Sequence, residues 1–135
     1  MIRPILLDTC ALIWLTDNEL SSVAIAKLLE ANREVGGVVV SPISAWEIGQ
    51  LTARGRLKLK MDPLSWFQMA LENSIALAPM PPSVLVASSF LPGPLRDPAD
   101  RVIVATARAF QYRVMTRDRP MLDLARAGHL ETVAC

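Results

Sequence analysis

Histidine is nearly missing from this chain: its 135 residues include one, His129, together with two cysteines, Cys10 and Cys135. That scarcity argues against a histidine-based metal site, a Ser-His-Asp triad and a cysteine-rich zinc module. Two thiols near opposite ends, without disulfide density, suit a reducing cytosol. Charge of one sign is also absent. Fourteen Lys and Arg stand against thirteen Asp and Glu, a net +1, so no long-range field gathers nucleic acid or an anionic membrane, and any such binding must rest on a local patch. Long apolar runs are broken. Residues 74–95 are interrupted by Pro79, Pro81, Pro82, Pro92 and Pro94, and residues 5–15 contain Asp8 and lack a basic leader. Neither reads as a membrane span or a signal peptide, and a soluble cytoplasmic protein is expected.

What is present is a core. Hydrophobic residues make up 52% and charged residues 20%, enough apolar surface to offset the chain entropy lost on folding. There is no internal repeat, low-complexity tract or long linker, so residues 1–135 are expected to form a single domain. Short β-branched runs at 2–7, 38–41, 74–78, 112–116 and 131–134 alternate with helical segments. That alternation predicts an α/β fold around a mainly parallel sheet, with 131–134 as an edge strand. Ser41-Pro42, Asp62-Pro63, Pro81-Pro82-Ser83 and Asp97-Pro98 each set a cap or first-turn proline before an apolar segment. Residues 22–33 read as a one-sided amphipathic helix through Val23, Ile25, Ala26, Leu28 and Leu29, and 102–110 as a helix packed deeply on the sheet. Residues 54–60 and 91–97 are expected as exposed loops.

Four acids fall at the ends of these elements. Asp8 follows the first strand, Glu47 lies early in the helix after the second, Asp100 lies in the first turn after Asp97-Pro98, and Asp118 follows the fourth strand. In a parallel α/β sheet, strand carboxyl ends and helix amino ends share one edge, where ligand sites form. Crowded carboxylates repel one another, and a divalent cation relieves that repulsion. Oxygen-only ligation favours Mg²⁺ or Mn²⁺, which can activate water against a phosphodiester. The competing reading is local: acids favour helix starts, Asp97-Pro98-Ala99-Asp100 resembles an ordinary cap, and Ser44-Ala45-Trp46-Glu47 matches a capping box. Taken singly, each acid reads as structural. Four together, one per suitable place on one edge, point to a site.

At these residues the chain resembles the PIN-domain ribonucleases, and among them the VapC-type toxins of toxin-antitoxin pairs. The resemblance rests on Leu6-Leu7-Asp8-Thr9 with Ala11-Leu12-Ile13-Trp14-Leu15, on Ser41 to Ile48, on Asp97-Pro98-Ala99-Asp100-Arg101-Val102 and the helix that follows, and on Val114-Met115-Thr116-Arg117-Asp118. It implies about five parallel strands flanked by helices and a metal-dependent endoribonuclease. Asp8, Glu47, Asp100 and Asp118 would be its metal-site acids and Thr116 a supporting hydroxyl. Asp97 is placed as a helix cap in a supporting role, with a direct or water-mediated metal contact as the other reading. Thr9 orients Asp8 or a phosphate, or caps the next helix. Position 99 is Ala, where relatives often carry a large aromatic, a change that bears on how the loop closes.

Arg54, Arg56, Lys58 and Lys60 alternate with Gly55, Leu57 and Leu59, which would align four cations if extended and suit an RNA backbone; a solvated loop is the equal alternative. Arg96, Arg101, Arg117 and Arg119 flank the acids, either holding RNA phosphates or balancing the carboxylates, with balance favoured for Arg101. Trp14, Trp46, Trp66 and Phe67 read as core or interface residues. A mean hydropathy of +0.33 predicts a homodimer and a partner groove, and the resemblance makes that partner a VapB-type antitoxin. The alternatives are a non-catalytic PIN-fold binding module and a receiver domain. The receiver reading is weakened because Asp8 has no acidic neighbour and no lysine follows the late strand.

Overall fold

The computed structural model describes residues 2–135. Five short strands, β1 (Ile5–Leu7), β2 (Val38–Val40), β3 (Ala76–Leu77), β4 (Arg113–Met115) and β5 (Thr132–Val133), form one all-parallel sheet in the order β3-β2-β1-β4-β5. The helices are α1 (Thr9–Thr16), α2 (Ser22–Ala31), α3 (Pro42–Ala53), α4 (Pro63–Glu72), α5 (Pro82–Ala87), α6 (Pro98–Phe110) and α7 (Arg119–Arg126), with a 3-10 turn at Ser88–Phe90. The strand-helix alternation expected from the sequence is therefore the architecture.

Strand alternation divides the core in two. Ile5, Leu7, Val38, Val40 and Met115 pack with Leu12, Leu28 and Phe67 on one face of the sheet. Leu6, Val39 and Val114 pack with Ile103 and Val104 of α6 and Met121 and Leu124 of α7 on the other. With both faces covered, the strands read as unbroken apolar runs.

Each strand is shorter than its apolar run. Residues 2–7 contract to Ile5–Leu7 because Pro4 has no N–H to give the ladder, although its carbonyl still accepts from Arg113 N–H at 2.9 Å. Helix α2 is less one-sided than expected: Ala24, Leu28 and Ala31 are buried, whereas Val23 and Leu29 are 63% and 66% exposed. The proline signals hold, with Ser41, Asp62 and Asp97 accepting first-turn N–H groups as side-chain caps. No helix among the described residues is long and apolar enough to cross a membrane.

Topology positions the site. From β1 the chain steps through β2 to β3 in one direction, then crosses back to lay β4 on the opposite side of β1. The connections leave β1 and β4 in opposite directions, and such a switch point opens a crevice at the carboxyl edge.

Candidate active site

Asp8 and Thr116 stand at that switch point, each the first residue after its strand. Asp8 is 4% exposed. Its Oδ1 accepts the Ala11 N–H at 2.7 Å, capping α1, and its Oδ2 accepts the Thr116 hydroxyl at 2.6 Å. Thr116 Oγ1 in turn accepts the Asp118 N–H at 2.9 Å. One buried hydroxyl thus ties Asp8 to the backbone of Asp118, whose own Oδ2 accepts the Met121 N–H at 3.1 Å and caps α7. The cap reading of these two acids is correct locally, yet each keeps lone pairs free, since an ionised carboxylate offers about four acceptor sites.

Glu47 and Asp100 cap nothing. Pro42 sets the start of α3 one residue after Ser41, which is the N-cap, so Ser44 lies inside the helix. Its hydroxyl is 2.9 Å from that of Thr9 in a buried pair. The expected capping box between Ser44 and Glu47 does not form, and neither does the expected Thr9 cap, because Asp8 takes that role. Glu47 is left with its Oε1 buried and without a hydrogen-bond partner. Asp100 gives its N–H to Asp97 Oδ1 at 3.0 Å, so Asp97 is the exposed cap and Asp100 the half-buried acid beneath it.

A cavity of about 240 Å³ is lined by Asp8, Glu47, Asp100 and Asp118, with Thr9, Cys10, Trp14 and Arg117 completing its wall. Burial pushes the Asp100 carboxyl up to about 8, reinforced by Asp97, Asp118, Glu47 and Asp8. Burial likewise raises Asp8 despite the bonds from Thr116 and Ala11. Glu47 is raised by burial first, with Asp97 and Asp8 adding to it against the neighbouring Thr9 hydroxyl. Cys10 is pushed up to about 12 by burial and then by the four acids. Ion pairs among the described residues are Arg3–Glu131 and Arg126–Asp123, and neither involves a pocket acid. The pocket concentrates negative charge without pairing it.

The donor set fits a hard divalent ion: oxygen ligands alone, one orphaned buried oxygen, and three carboxyls, Asp8, Glu47 and Asp100, that burial and neighbouring acids hold towards the neutral form. Among the described residues no three acidic, histidine or cysteine side chains are already gathered into a finished metal-ligand cluster. The four acids share a cavity wall and are not a closed cage.

The basic residues separate. Arg117 lines the pocket. The 54–60 segment is not one extended stripe, because Gly55 turns at φ +70° and the Arg56 and Leu57 N–H groups fold back onto the Leu51 carbonyl. Arg54 thereby becomes the C-cap of α3, while Lys58 and Lys60 border a different, largely apolar cavity of about 680 Å³ walled by α2 and α4. Arg96 and Arg119 are exposed outside the acid pocket. Arg101 does not balance the acids: it donates to the carbonyls of Ser88, at 2.8 Å, and Leu95 and knits the 3-10 turn to the loop before α6. Cys10 and Trp14 were missed as pocket residues. Their spacing of four on one helix, starting two residues after Asp8, was the available signal.

The PIN domain family model matches residues 5–127. This chain belongs to the PIN-domain family. Over 117 residues the PIN chain is 33% identical to Ribonuclease VapC22 of Mycobacterium tuberculosis (strain ATCC 25618 / H37Rv), covering 85% of this chain and 87% of that protein. Its fold is similar to that in VapBC2 from Rickettsia felis bound to a DNA fragment from their promoter, with a TM-score of 0.69 at 15% identity, covering 96% of this chain and 97% of the other. It is also similar to that in FitAB bound to an IR36 DNA fragment, with a TM-score of 0.59 at 20% identity, covering 96% and 94%. At these identities the likeness is one of fold.

Proposed function

We propose that this PIN domain, working as one unit over residues 1–135, is a metal-dependent endoribonuclease and the toxin of a VapBC-type pair. One observation carries the reading: four carboxylates from four separate elements line one cavity at the sheet's switch point with no cation paired to them. The 33% identity to a protein named a ribonuclease supports the choice of reaction.

Asp8, Glu47, Asp100 and Asp118 would hold Mg²⁺ or Mn²⁺, with Asp97 in support as the cap of the helix bearing Asp100. When bound, the ion supplies a Lewis acid that makes water a better nucleophile and offsets charge on the phosphoryl oxygens. The chain's own residues do the positioning. Thr116 fixes the Asp8 carboxylate and the Asp118 backbone together, so two of the acids move as one. Glu47 Oε1, unsatisfied without a ligand, favours any state that brings it a cation. Thr9 is committed to Ser44 and holds α1 against α3. Basic side chains outside the acids seat the RNA.

The test is cleavage of a defined RNA by the purified chain with Mg²⁺ or Mn²⁺. EDTA and Asp8→Asn should each abolish cutting with the circular dichroism spectrum unchanged; undiminished cleavage by Asp8→Asn identifies a contaminant and removes the assignment. The non-catalytic reading draws on the caps made by Asp8 and Asp118. Because Glu47 and Asp100 cap nothing, that reading leaves two half-buried carboxyls without a purpose, and it predicts no change in melting temperature on adding a divalent ion. The apolar cavity between α2 and α4 supports a protein partner, here an antitoxin, and exposed Trp46, Val86 and Phe90 support a homodimer. A cytoplasmic location accords with both free thiols.

A further inference from the structure

An RNA backbone is a polyanion, and a pocket walled by four carboxylates repels it. A divalent ion offsets part of that repulsion, and the chain must offset the rest. Of the seven basic residues singled out from the sequence as RNA contacts, Arg117 is the one that lines the acid pocket.

Its geometry is unusual for an exposed arginine. The guanidinium carbon lies 4.0 Å from the centroid of the Trp14 ring, and Trp14 is itself a wall of the pocket. Nη2 donates to the carbonyl of Glu19, at 3.1 Å, and to the backbone oxygen of the last residue, Cys135, at 2.8 Å. Among the described residues Nε and Nη1 meet no acceptor, and no Asp or Glu side chain takes Arg117 into an ion pair. One edge of the planar group is therefore anchored, one face is stacked, and the donors left over are free. An arginine restrained in this way has lost most of its rotamer freedom before a ligand arrives, so less entropy is lost on binding. Thr116 and Asp118 flank it in sequence, which couples its backbone to the acid cluster.

We propose that Arg117, braced against Trp14, seats a backbone phosphate of the substrate at the mouth of the acid pocket through Nε–H and Nη1–H. This rests on the nuclease reading and adds the group that lets a polyanion approach the acids. A purely structural Arg117 would need only its bonds to the two backbone oxygens.

Binding of a fluorescein-labelled single-stranded RNA is measured over a range of KCl on the full chain carrying Asp8→Asn, with and without Arg117→Gln or Arg117→Lys. Steady-state cleavage is measured on the otherwise native chain. Arg117→Gln should flatten the slope of log affinity against log salt by about 0.7, the contribution of one phosphate on a single strand. It should also raise KM about tenfold, as expected for loss of one charge-assisted bond, with kcat little changed. Arg117→Lys should keep the salt slope and recover part of KM. An unchanged slope and KM in Arg117→Gln overturns the proposal, as does a fall in kcat and melting temperature with the slope intact, which would assign Arg117 to bracing Trp14 alone. A native chain that neither binds nor cuts RNA sinks the nuclease reading and this proposal with it; a native chain that cuts RNA, indifferent to Arg117→Gln, sinks the proposal only.

Discussion

The two edges of the sheet treat charge in opposite ways. At the carboxyl edge the helices begin, and Asp8, Asp97 and Asp118 meet their free N–H groups. Glu47 and Asp100 add negative charge that no helix start needs. At the amino edge α6 and α7 end, and arginines meet carbonyls. Arg3 donates to Gln111 O at 2.8 Å and pairs with Glu131, Arg108 donates to His129 O at 2.6 Å, and Arg113 donates twice to Arg3 O, at 3.1 and 2.8 Å. Both edges have a cavity. The difference is whether the charge is matched. At the amino edge arginines answer carbonyls, that of the α6 C-cap Gln111 and those of the loop residues His129 and Arg3, and Arg3 also pairs with Glu131. At the carboxyl edge the excess is unmatched, a state that persists only if the rest of the fold outweighs it. Unmatched charge marks the functional edge.

The comparison breaks most visibly through Asp100. Replacing this acid by Asn should lower RNA cleavage by at least about a hundredfold, since even supporting partners of a metal ligand are worth 10–100-fold, whereas Arg108→Gln at the amino edge should leave cleavage unchanged. The same substitution tests the electrostatics. Burial and the neighbouring acids push the Asp100 carboxyl up to about 8 in the folded chain from its ordinary 3.8. Between those values the folded chain holds a proton that the unfolded chain has released, so raising the pH favours unfolding. Melting of the metal-free chain should therefore fall from about pH 4 to about pH 8, and Asp100→Asn should flatten that slope. Mg²⁺ or Mn²⁺ should stabilise the native chain more at pH 8.5 than at pH 5.5, because binding requires the deprotonated carboxylate. A metal-free chain whose melting temperature rises over this range would contradict the unmatched-charge account.

A smaller effect sharpens the comparison at Thr116. Thr116→Val keeps the shape and removes the hydroxyl that joins Asp8 to Asp118, and cleavage should fall about 10- to 100-fold, with recovery in Thr116→Ser. Equal loss in both variants would assign the effect to packing. The least effect is expected at the amino edge. Arg3 and Glu131 are about half exposed, and Glu131→Gln should lower stability by no more than about 1 kcal/mol in urea denaturation. A larger loss would mean that this edge carries more of the fold than matched surface charge explains.

Local signals were legible in the chain. Ser41-Pro42, Asp62-Pro63 and Asp97-Pro98 start helices as read, since a cap and a first-turn proline act within four residues. The apolar runs locate the five strands, although their ends depend on which backbone groups find a neighbour across the sheet. Where two local rules competed, the choice was harder to see. Ser44 to Glu47 satisfies the capping-box pattern, but Pro42 starts the helix earlier and turns Ser44 inward to Thr9. The alternation of 54–60 suggested a straight basic stripe, but Gly55 takes a left-handed turn and the chain doubles back onto the end of α3. In α2 the apolar residues outnumber the positions that face the sheet, and the surplus stays exposed.

By itself the sequence determined the caps, the alternating faces of the strands and the short list of acids at element ends, because each depends on neighbours along the chain. Only the tertiary structure decided that β4 lies beside β1, through the crossover from β3, and so placed Thr116 on Asp8 across 108 residues. The packing of α3 and α6 at that same edge likewise left Glu47 and Asp100 half-buried beside the other acids, with Glu47 Oε1 unsatisfied. Which charges are answered and which are left over depends on what meets in space, and no local pattern encodes that.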